Sequence, residues 1–305
     1  MNLQFFTLLY IAEHKESKHL TGRNISGEEK ILIYLKNCHI LHLSLKINKE
    51  RGLTVLTNNK NYIESLQEKY HLSFDIEQIE FNLSVPQDIG FYSAHFKIDT
   101  YKYFGTLTDT YSILLDNDMV CTKPLPSYMT ELIKKDIAIH YSFPISKVEN
   151  HNINTMKSLK SEIITGEWSG GEFIGGTSNF FNELYTNISS FIDKYFENRN
   201  KMFHQGDEML TSIAIEYMKL QKWNILDSGN IGLSYRYYSS TERCNIETYN
   251  SCFYHLICDK LFLASLVNKP FTSNEDFFSL YNKYFSRKVR IKKHIKKLIS
   301  SFRVK

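Results

Sequence analysis

The chain has 305 residues, 42% of them hydrophobic, and its 37 Lys and Arg residues against 33 Asp and Glu residues give a net charge of +4. This length allows a sizeable buried core in one large or two small domains, and only 5 Pro and 13 Gly residues argue against a largely disordered chain. Its apolar runs are all shorter than the roughly 20 residues that span a bilayer. The start lacks the basic segment and cleavage site of a signal peptide. Five cysteines without a CxxC pair argue against a disulfide framework or a zinc site, so we expect a folded protein of the reducing cytoplasm.

Strand-like and helix-like segments alternate along the first part of the chain. Apolar strand patterns cover residues 4–12, 53–56 and 76–81, and helical spacing of apolar residues covers residues 28–47, 62–70 and 91–104. This alternation predicts an α/β fold in which helices flank a central, mostly parallel mixed sheet. We expect a single domain over residues 1–285, because no repeat or low-complexity linker marks a second one. Neither G-x-G-x-x-G nor the P-loop pattern is present, which removes the main support for dinucleotide or P-loop binding.

Two carboxylates follow directly on a predicted buried strand. The apolar run at 113–115 leads into Asp116, Asn117 and Asp118. Open α/β sheets bind ligands at the carboxyl ends of their strands. Two carboxylates one residue apart can converge there on one Mg²⁺ or Mn²⁺ ion held against a diphosphate. A solvated turn that happens to carry two acids is the alternative interpretation.

Two glycine pairs, Gly170–Gly171 and Gly175–Gly176, surround a short apolar segment in the sequence WSGGEFIGGT. Glycine permits positive φ and close approach of the backbone to a ligand. Two ordinary turns around a strand would explain the same pattern. A helix is predicted after it, over residues 179–198.

A second pair of acids, Asp207 and Glu208, stands directly before a predicted helix at 209–218. Acids at a helix start complement the positive end of the helix dipole. Two carboxylates in this position are also what a sugar-transfer site would use to stabilise an oxocarbenium-like centre.

The end of the chain differs in charge from the rest. Residues 287–305 carry nine Lys or Arg and no acid, and their apolar residues fall largely on one helical face. We expect a basic amphipathic tail over residues 286–305 that lies in a membrane interface and prefers anionic lipid. The alternatives are a solvated helix packed on the domain and nucleic-acid binding, which no recognition motif accompanies.

The order of these motifs resembles that of nucleotide-sugar glycosyltransferases with the GT-A fold. Asp116-Asn117-Asp118 after an apolar strand is similar to their metal motif. The segments GGEFIGGTSNFFNEL and GDEMLTSIAIEYM resemble the retaining blood-group-type galactosyl- and N-acetylgalactosaminyltransferases. The order is also similar to that of the bacterial lipooligosaccharide galactosyltransferase and glycogenin group, in which a late histidine completes the metal site. Here Tyr254-His255-Leu256 followed by Lys260 is the matching segment, without that group's glycine and Lys-Pro-Trp ending.

The resemblance, which covers roughly residues 91–260, implies the roles of the candidate residues. Asp116, Asp118 and His255 would hold Mn²⁺ or Mg²⁺ against the diphosphate of a UDP-sugar. Glu208 would be the nucleophile or electrostatic stabiliser, and Asp207 would bind hydroxyls of the donor sugar. The resemblance also implies contacts to the nucleotide sugar. Phe6, Thr7, Leu8 and Asn58 would surround the uracil, and Gly175 and Gly176 would leave room for a sugar. His95 and Lys97, before the metal strand, and Asp116 and Asn117, in the metal motif, would contact the nucleotide or the donor sugar.

The implied function is metal-dependent transfer of a hexose or N-acetylhexosamine from a UDP-sugar to a bacterial surface glycan, such as lipooligosaccharide or capsule, with retention. In an inverting enzyme, Asp207 or Glu208 would instead be the general base. A non-catalytic nucleotide-sugar-binding module and a sugar-phosphate nucleotidyltransferase are the alternatives. Sugar-phosphate nucleotidyltransferases normally have a Gly-rich loop after their first strand. Here the residues after Ala12 are EHKESKHL, so that loop is missing. The expected partners are the UDP-sugar, a glycan or glycolipid acceptor and the anionic inner face of the cytoplasmic membrane, and not nucleic acid.

Overall fold

The computed structural model describes residues 1–12, 27–144, 148–202, 204–242 and 244–287. The predicted basic tail lies outside the described residues from position 288 onwards. Within the described part of the chain, no helix is long and apolar enough to cross a membrane.

Ten strands and ten helices form the described structure. The strands are β1 (Asn2–Leu8), β2 (Leu53–Thr57), β3 (Asp75–Gln78), β4 (Thr110–Leu115), β5 (Met119–Cys121), β6 (Ala138–Phe143), β7 (Trp168–Gly176), β8 (Ile225–Asp227), β9 (Ser234–Arg236) and β10 (Phe253–His255). The helices are α1 (Gly27–Ile47), α2 (Lys60–Lys69), α3 (Lys97–Phe104), α4 (Tyr128–Lys134), α5 (Asn150–Leu159), α6 (Ser178–Ser189), α7 (Ile192–Asn198), α8 (Asp207–Leu220), α9 (Lys260–Ser265) and α10, residues 274–287. Short 3-10 turns cover Tyr92–Phe96, Arg199–Lys201, Ile246–Tyr249 and Leu266–Asn268.

The central sheet has seven strands in the order β3-β2-β1-β4-β7-β6-β8. Strand β7 runs antiparallel to both of its neighbours, and the other neighbouring pairs are parallel. A second, three-stranded sheet has the order β5-β10-β9. The predicted mixed and mostly parallel sheet is therefore confirmed.

Successive side chains of the inner strands alternate between two cores, one on each face of the central sheet. Helices cover both faces and so bury both sets of side chains. Phe5 and Ile113 belong to the core shared with α1 and α2, whereas Phe6 and Leu114 belong to the core shared with α3, α6 and α8. All of these side chains are buried. A third, aromatic-rich core joins the small sheet to α9 and α10.

The helix predicted over residues 179–198 is divided in two. The α6 helix ends at Ser189 and α7 begins at Ile192. Between them, the Ser190 hydroxyl donates to the carbonyl of Asn187 at 2.6 Å, so a side chain takes a backbone acceptor. Such local hydrogen bonds compete with helix propagation, and apolar spacing does not reveal them.

The carboxylate of Glu216 in α8 organises the loop that leads into β7. It is 4% exposed and accepts hydrogen bonds of 2.6–3.0 Å from four successive backbone N–H groups, those of Ile164, Thr165, Gly166 and Glu167. No neutral side chain of this size offers two oxygens as acceptors.

We expect Glu216→Gln to lower the free energy of unfolding by about 3 kcal/mol, because the amide nitrogen would leave buried N–H groups without an acceptor. Urea denaturation measures the effect. Glu197→Gln, at an exposed position of α7, is the matched control and should leave the midpoint unchanged. Equal midpoints for the two variants would contradict this role of Glu216.

Candidate active site

The acids at the end of β4 lie in a turn between the two sheets. The backbone N–H of Asp116 donates to the carbonyl of Glu172 at 3.0 Å, which continues the β4–β7 ladder, and Met119 N–H closes the turn on the carbonyl of Asp116 at 3.2 Å. Strand β5 follows and pairs antiparallel with β10, so that His255 stands opposite Met119. The strand pairing therefore brings a histidine from late in the chain to the two acids.

Asp116, Asp118 and His255 form a candidate metal centre, since each offers one ligand atom and these atoms all lie within 4.8 Å of one another. The His255 Nε2 atom is 3.1 Å from Asp118 Oδ1 and 3.8 Å from Asp116 Oδ2. Burial alone would lower the pKa of His255, but the Asp118 carboxylate outweighs it and raises that pKa to about 9. Burial alone would raise the pKa of Asp118, but His255 and Lys260 together hold it well below its usual range.

Two lysines contact these acids. Lys260, at the start of α9, forms an ion pair with Asp118. Lys97, at the start of α3, contacts Asp116 Oδ1 at 2.8 Å, Asp207 Oδ2 at 3.1 Å and the carbonyl of Gly171 at 2.8 Å. Lys97 therefore connects the metal-type motif with the acids that open α8.

Glu208, in the first turn of α8, accepts hydrogen bonds on both carboxylate oxygens. Its Oε1 receives the Gly171 N–H at 3.2 Å and the Arg236 guanidinium at 2.8 Å, and its Oε2 receives the Trp168 indole N–H at 3.0 Å. Burial raises the pKa of a carboxylate, but Arg236 outweighs it, so the pKa of Glu208 is lowered. The pKa of neighbouring Asp207 is raised by burial, against the opposing effect of Lys97. The structure thus gives adjacent acids different protonation preferences.

Glu172, in the middle of β7, forms an ion pair with Arg236 of β9. Both groups are buried, with Glu172 fully inaccessible. Burial alone would raise the pKa of Glu172, but Arg236 and His255 bring it down to about 2. The same Arg236 contacts Glu208, so one guanidinium is shared by two carboxylates.

The charges of this cluster leave a deficit that a divalent cation would match. With all five carboxylates ionised and His255 neutral, as a metal ligand must be, five negative charges face three permanent cations among the described residues, so two negative charges are unbalanced; the acids are Asp116, Asp118, Glu172, Asp207 and Glu208, and the cations are Lys97, Arg236 and Lys260. Carboxylates suit Mg²⁺ and Mn²⁺, and neutral imidazole is the commonest metal ligand among side chains. The donor set at Asp116, Asp118 and His255 therefore fits such an ion.

A scan against protein-family models and a search of curated protein sequences give no match for the chain. Solved structures do match. A galactosyltransferase, LgtC, in complex with donor and acceptor sugar analogues has a TM-score of 0.54 at 9% identity, over 87% of this chain and 95% of that one. An active-site mutant of LgtC has a TM-score of 0.51 at 10% identity, over 83% of this chain and 86% of that one. The chain has the GT-A fold. Mouse xyloside xylosyltransferase 1 also aligns, with a TM-score of 0.49 at 11% identity over 85% of this chain and 99% of that one.

On this GT-A fold, the first glycine pair lies at the cluster and the second does not. Gly171 donates to Glu208, and a Cβ at Gly171 would come within 2.7 Å of Asp207 Oδ2. Gly175 and Gly176 instead pair with Ile113 and Ser112 of β4, several residues before Asp116. The structure therefore does not bring Gly175 and Gly176, implied to make room for a sugar, to the charged cluster. Because β7 runs antiparallel to β4, Glu172 in the middle of β7, and not the end of the strand, meets the turn at Asp116.

The predicted uracil-side residues lie at the carboxyl ends of β1 and β2. Phe6 and Thr7 are buried and Leu8 is half-buried. The Thr7 hydroxyl has no hydrogen-bond partner within the described structure. The Asn58 side chain accepts from the backbone N–H of Ile11 at 2.8 Å and donates to its carbonyl at 3.0 Å, which ties the chain after β1 to the end of β2.

His95 and Asn117 differ in their surroundings. His95 is completely buried, and its two ring nitrogens are each 3.0 Å from an oxygen, those of the Phe91 carbonyl and the Tyr195 hydroxyl. The contact with Tyr195 joins His95, in the Tyr92–Phe96 turn, to α7. Packing between these two elements therefore explains why His95 is buried. Asn117 is half-buried in the turn between the two acids of the metal-type motif.

Several groups of the cluster were not predicted from the sequence. They are Trp168, Glu172, Arg236 and the ion-pair role of Lys260. A visible signal existed for Glu172, because it is a carboxylate within an otherwise apolar, glycine-flanked strand. Arg236 offered none, since its partners are distant in sequence and only the pairing of β9 with β10 brings it close.

Proposed function

We propose that the chain is a metal-dependent glycosyltransferase that transfers a hexose or N-acetylhexosamine from a UDP-sugar to a glycan acceptor. The observation that carries this proposal is the contact of Lys97 with both Asp116 and Asp207. It joins a candidate cation site and the acid pair Asp207–Glu208 in one cluster on the GT-A fold. A cation site alone would not distinguish a transferase from a nucleotide-binding module.

In this proposal, Asp116, Asp118 and His255 hold Mn²⁺ or Mg²⁺. The cation would neutralise the charge that develops on the leaving diphosphate. Lys97 and Lys260 supply further positive charge at the same place and hold the acids in position. Phe6, Thr7, Leu8 and Asn58 lie at the strand ends where the nucleotide base would bind.

Glu208 stabilises the positive charge that develops at the anomeric carbon. Its carboxylate is kept ionised and oriented by Arg236, Trp168 and the Gly171 N–H. Asp207 beside it binds hydroxyls of the donor sugar. Retention of configuration is the outcome we propose, on the basis of the motif order in the sequence.

The acceptor in this proposal is a surface glycan of a bacterium, lipooligosaccharide or capsule, and the basic tail holds the enzyme at the inner face of the cytoplasmic membrane. The support is the sequence of residues 287–305, with its nine basic residues and one-sided apolar pattern. A cluster of this charge is attracted to anionic lipid.

We expect UDP with Mn²⁺ to stabilise the folded protein by about 2.7 kcal/mol at a hundredfold excess over the dissociation constant. Differential scanning fluorimetry with UDP, Mn²⁺ and both together measures the shift in Tm. The same nucleotide with a chelator, and GDP with Mn²⁺, are the controls. Unchanged Tm with UDP and with UDP-sugars in the presence of Mn²⁺ would contradict the proposed donor.

A further inference from the structure

The ion pair between Glu172 and Arg236 lies where the two halves of the site meet. Arg236 donates from Nε to one oxygen of Glu172 and from Nη2 to the other, which is the two-pronged geometry of a strong ion pair. Removing two charges from water is costly, and such pairs often add little net stability. A role other than stability would explain why a carboxylate stands in the middle of a buried strand.

Glu172 also faces the histidine of the candidate metal centre. Its Oε1 is 3.5 Å from His255 Nδ1, while the opposite ring nitrogen, Nε2, faces Asp118 at 3.1 Å. His255 Nδ1 is buried and has no hydrogen bond within the described structure, so Glu172 is the acceptor placed closest to satisfy it. Histidines that bind metals usually donate their other N–H to a carboxylate, a carbonyl or water, which sets the tautomer and ring orientation.

The surroundings hold Arg236 in a narrow space. Its guanidinium carbon is 4.3 Å from the centre of the Phe143 ring. A Cβ at Gly170 would come 2.8 Å from Arg236 Nη2 and would also collide with Glu172. The glycine therefore leaves the room that the ion pair occupies, and the pair has few alternative positions.

We propose that Glu172 is a positioning residue that fixes the tautomer and orientation of His255 for cation binding, and that Arg236 holds Glu172 in place for this role. This inference rests on the proposed function, in which His255 is a ligand of the cation. The proton of His255 is then on Nδ1, toward Glu172, and Nε2 is free to bind the metal. Because Arg236 also contacts Glu208, the same guanidinium connects the cation site with the sugar-transfer carboxylate.

A titration with Mn²⁺ tests the proposal without any turnover, because the electron paramagnetic resonance signal of the free ion measures how much Mn²⁺ is bound. We expect Glu172→Gln to weaken Mn²⁺ binding by about 10- to 100-fold, the usual cost of losing such a partner. Glu208→Gln is the matched control, because it removes a carboxylate that contacts the same Arg236, whereas the acids that contact His255 within the described structure are Asp116, Asp118 and Glu172. We expect it to change Mn²⁺ binding by less than about threefold, because Glu172 keeps its contacts with Arg236 and His255 and only a more distant negative charge is lost.

Equal weakening in the two variants would show a charge effect, and unchanged binding in Glu172→Gln would show no role, so either result would overturn the proposal. If the unsubstituted protein binds no Mn²⁺, the cation site of the proposed function fails as well, which distinguishes the two failures. Circular dichroism and the Tm without metal establish that both variants are folded.

A second measurement needs no variant. Long-range ¹H–¹⁵N correlation on ¹⁵N-histidine-labelled protein identifies His255 by its shift on adding Mg²⁺ and reports its tautomer. We expect the Nδ1–H form in the Mg²⁺-loaded protein. The Nε2–H form, or a mixture of the two, would contradict the proposed role of Glu172.

Discussion

Asp118→Asn is expected to lower kcat/KM for sugar transfer by about 10³-fold, because a cation contributes several kcal/mol to stabilising the charge on the leaving group. Asp118 is 1% exposed, and its two oxygens face His255 Nε2 and Lys260. Asparagine keeps the shape of the side chain but removes the charge. The same substitution should also remove the Mn²⁺-dependent part of the stabilisation by UDP.

Initial rates of UDP release and the Tm with UDP and Mn²⁺ measure these two effects. Asp109→Asn is the matched control, because Asp109 is an exposed aspartate just before β4. It should leave both quantities unchanged. Full activity and full Mn²⁺-dependent stabilisation in Asp118→Asn would contradict the assignment of this residue to the cation.

Glu208→Gln is expected to lower kcat by about 10²- to 10³-fold, the usual cost of removing one preorganised electrostatic group. Glutamine can still accept the Gly171 N–H and the Arg236 guanidinium on its one oxygen, whereas its amide nitrogen would face the Trp168 indole N–H, so the Tm without ligands is measured as well to establish that the variant is folded. The stabilisation by UDP and Mn²⁺ should be retained, because Glu208 is placed at the sugar and not at the cation.

This combination separates catalysis from binding. Steady-state kinetics gives kcat, and the Tm with UDP and Mn²⁺ reports binding on the same protein. Glu197→Gln, at an exposed position of α7, is the control for loss of a carboxylate. Unchanged kcat in Glu208→Gln would contradict the catalytic role of Glu208.

Local patterns predicted the metal-type motif because its chemistry is local. The apolar run at 113–115 became β4, and the acids after it lie in the turn that leaves the sheet. The helix that begins at Asp207 was also predictable, because two acids stand directly before apolar residues at helical spacing. Both features follow from a few adjacent residues, so a single sequence suffices to find them.

The remaining part of the site depends on long-range pairing that no local pattern contains. Arg236 meets Glu172 only because β9 pairs with β10 and β10 with β5, which returns to the turn at Asp118. The glycine pairs show the same limit. Spacing could not tell which pair reaches the acids, whereas the antiparallel direction of β7 places Gly170 and Gly171 there.

The buried charges also explain why this site would be sensitive to single substitutions. Arg236 is shared by Glu172 and Glu208, and Lys97 by Asp116 and Asp207. Removing Arg236 or Lys97 deprives two carboxylates of the cation that they share in a poorly solvated place, which is costly. The cluster therefore behaves as one electrostatic unit, and effects of neighbouring substitutions should not be additive.

The proposed function depends on metal-dependent transfer from a UDP-sugar. Its most direct test is NMR of the protein incubated with an oligosaccharide acceptor prepared from lipooligosaccharide or capsule and with UDP-galactose, UDP-glucose or their N-acetylhexosamine counterparts as donor, with Mn²⁺ supplied and then removed by a chelator before spectra are recorded. We predict that UDP and an α-configured sugar product form from at least one donor only when Mn²⁺ or Mg²⁺ is present. A β-configured product would contradict retention alone, whereas no UDP release from any of these donors, with or without metal, would contradict the account as a whole.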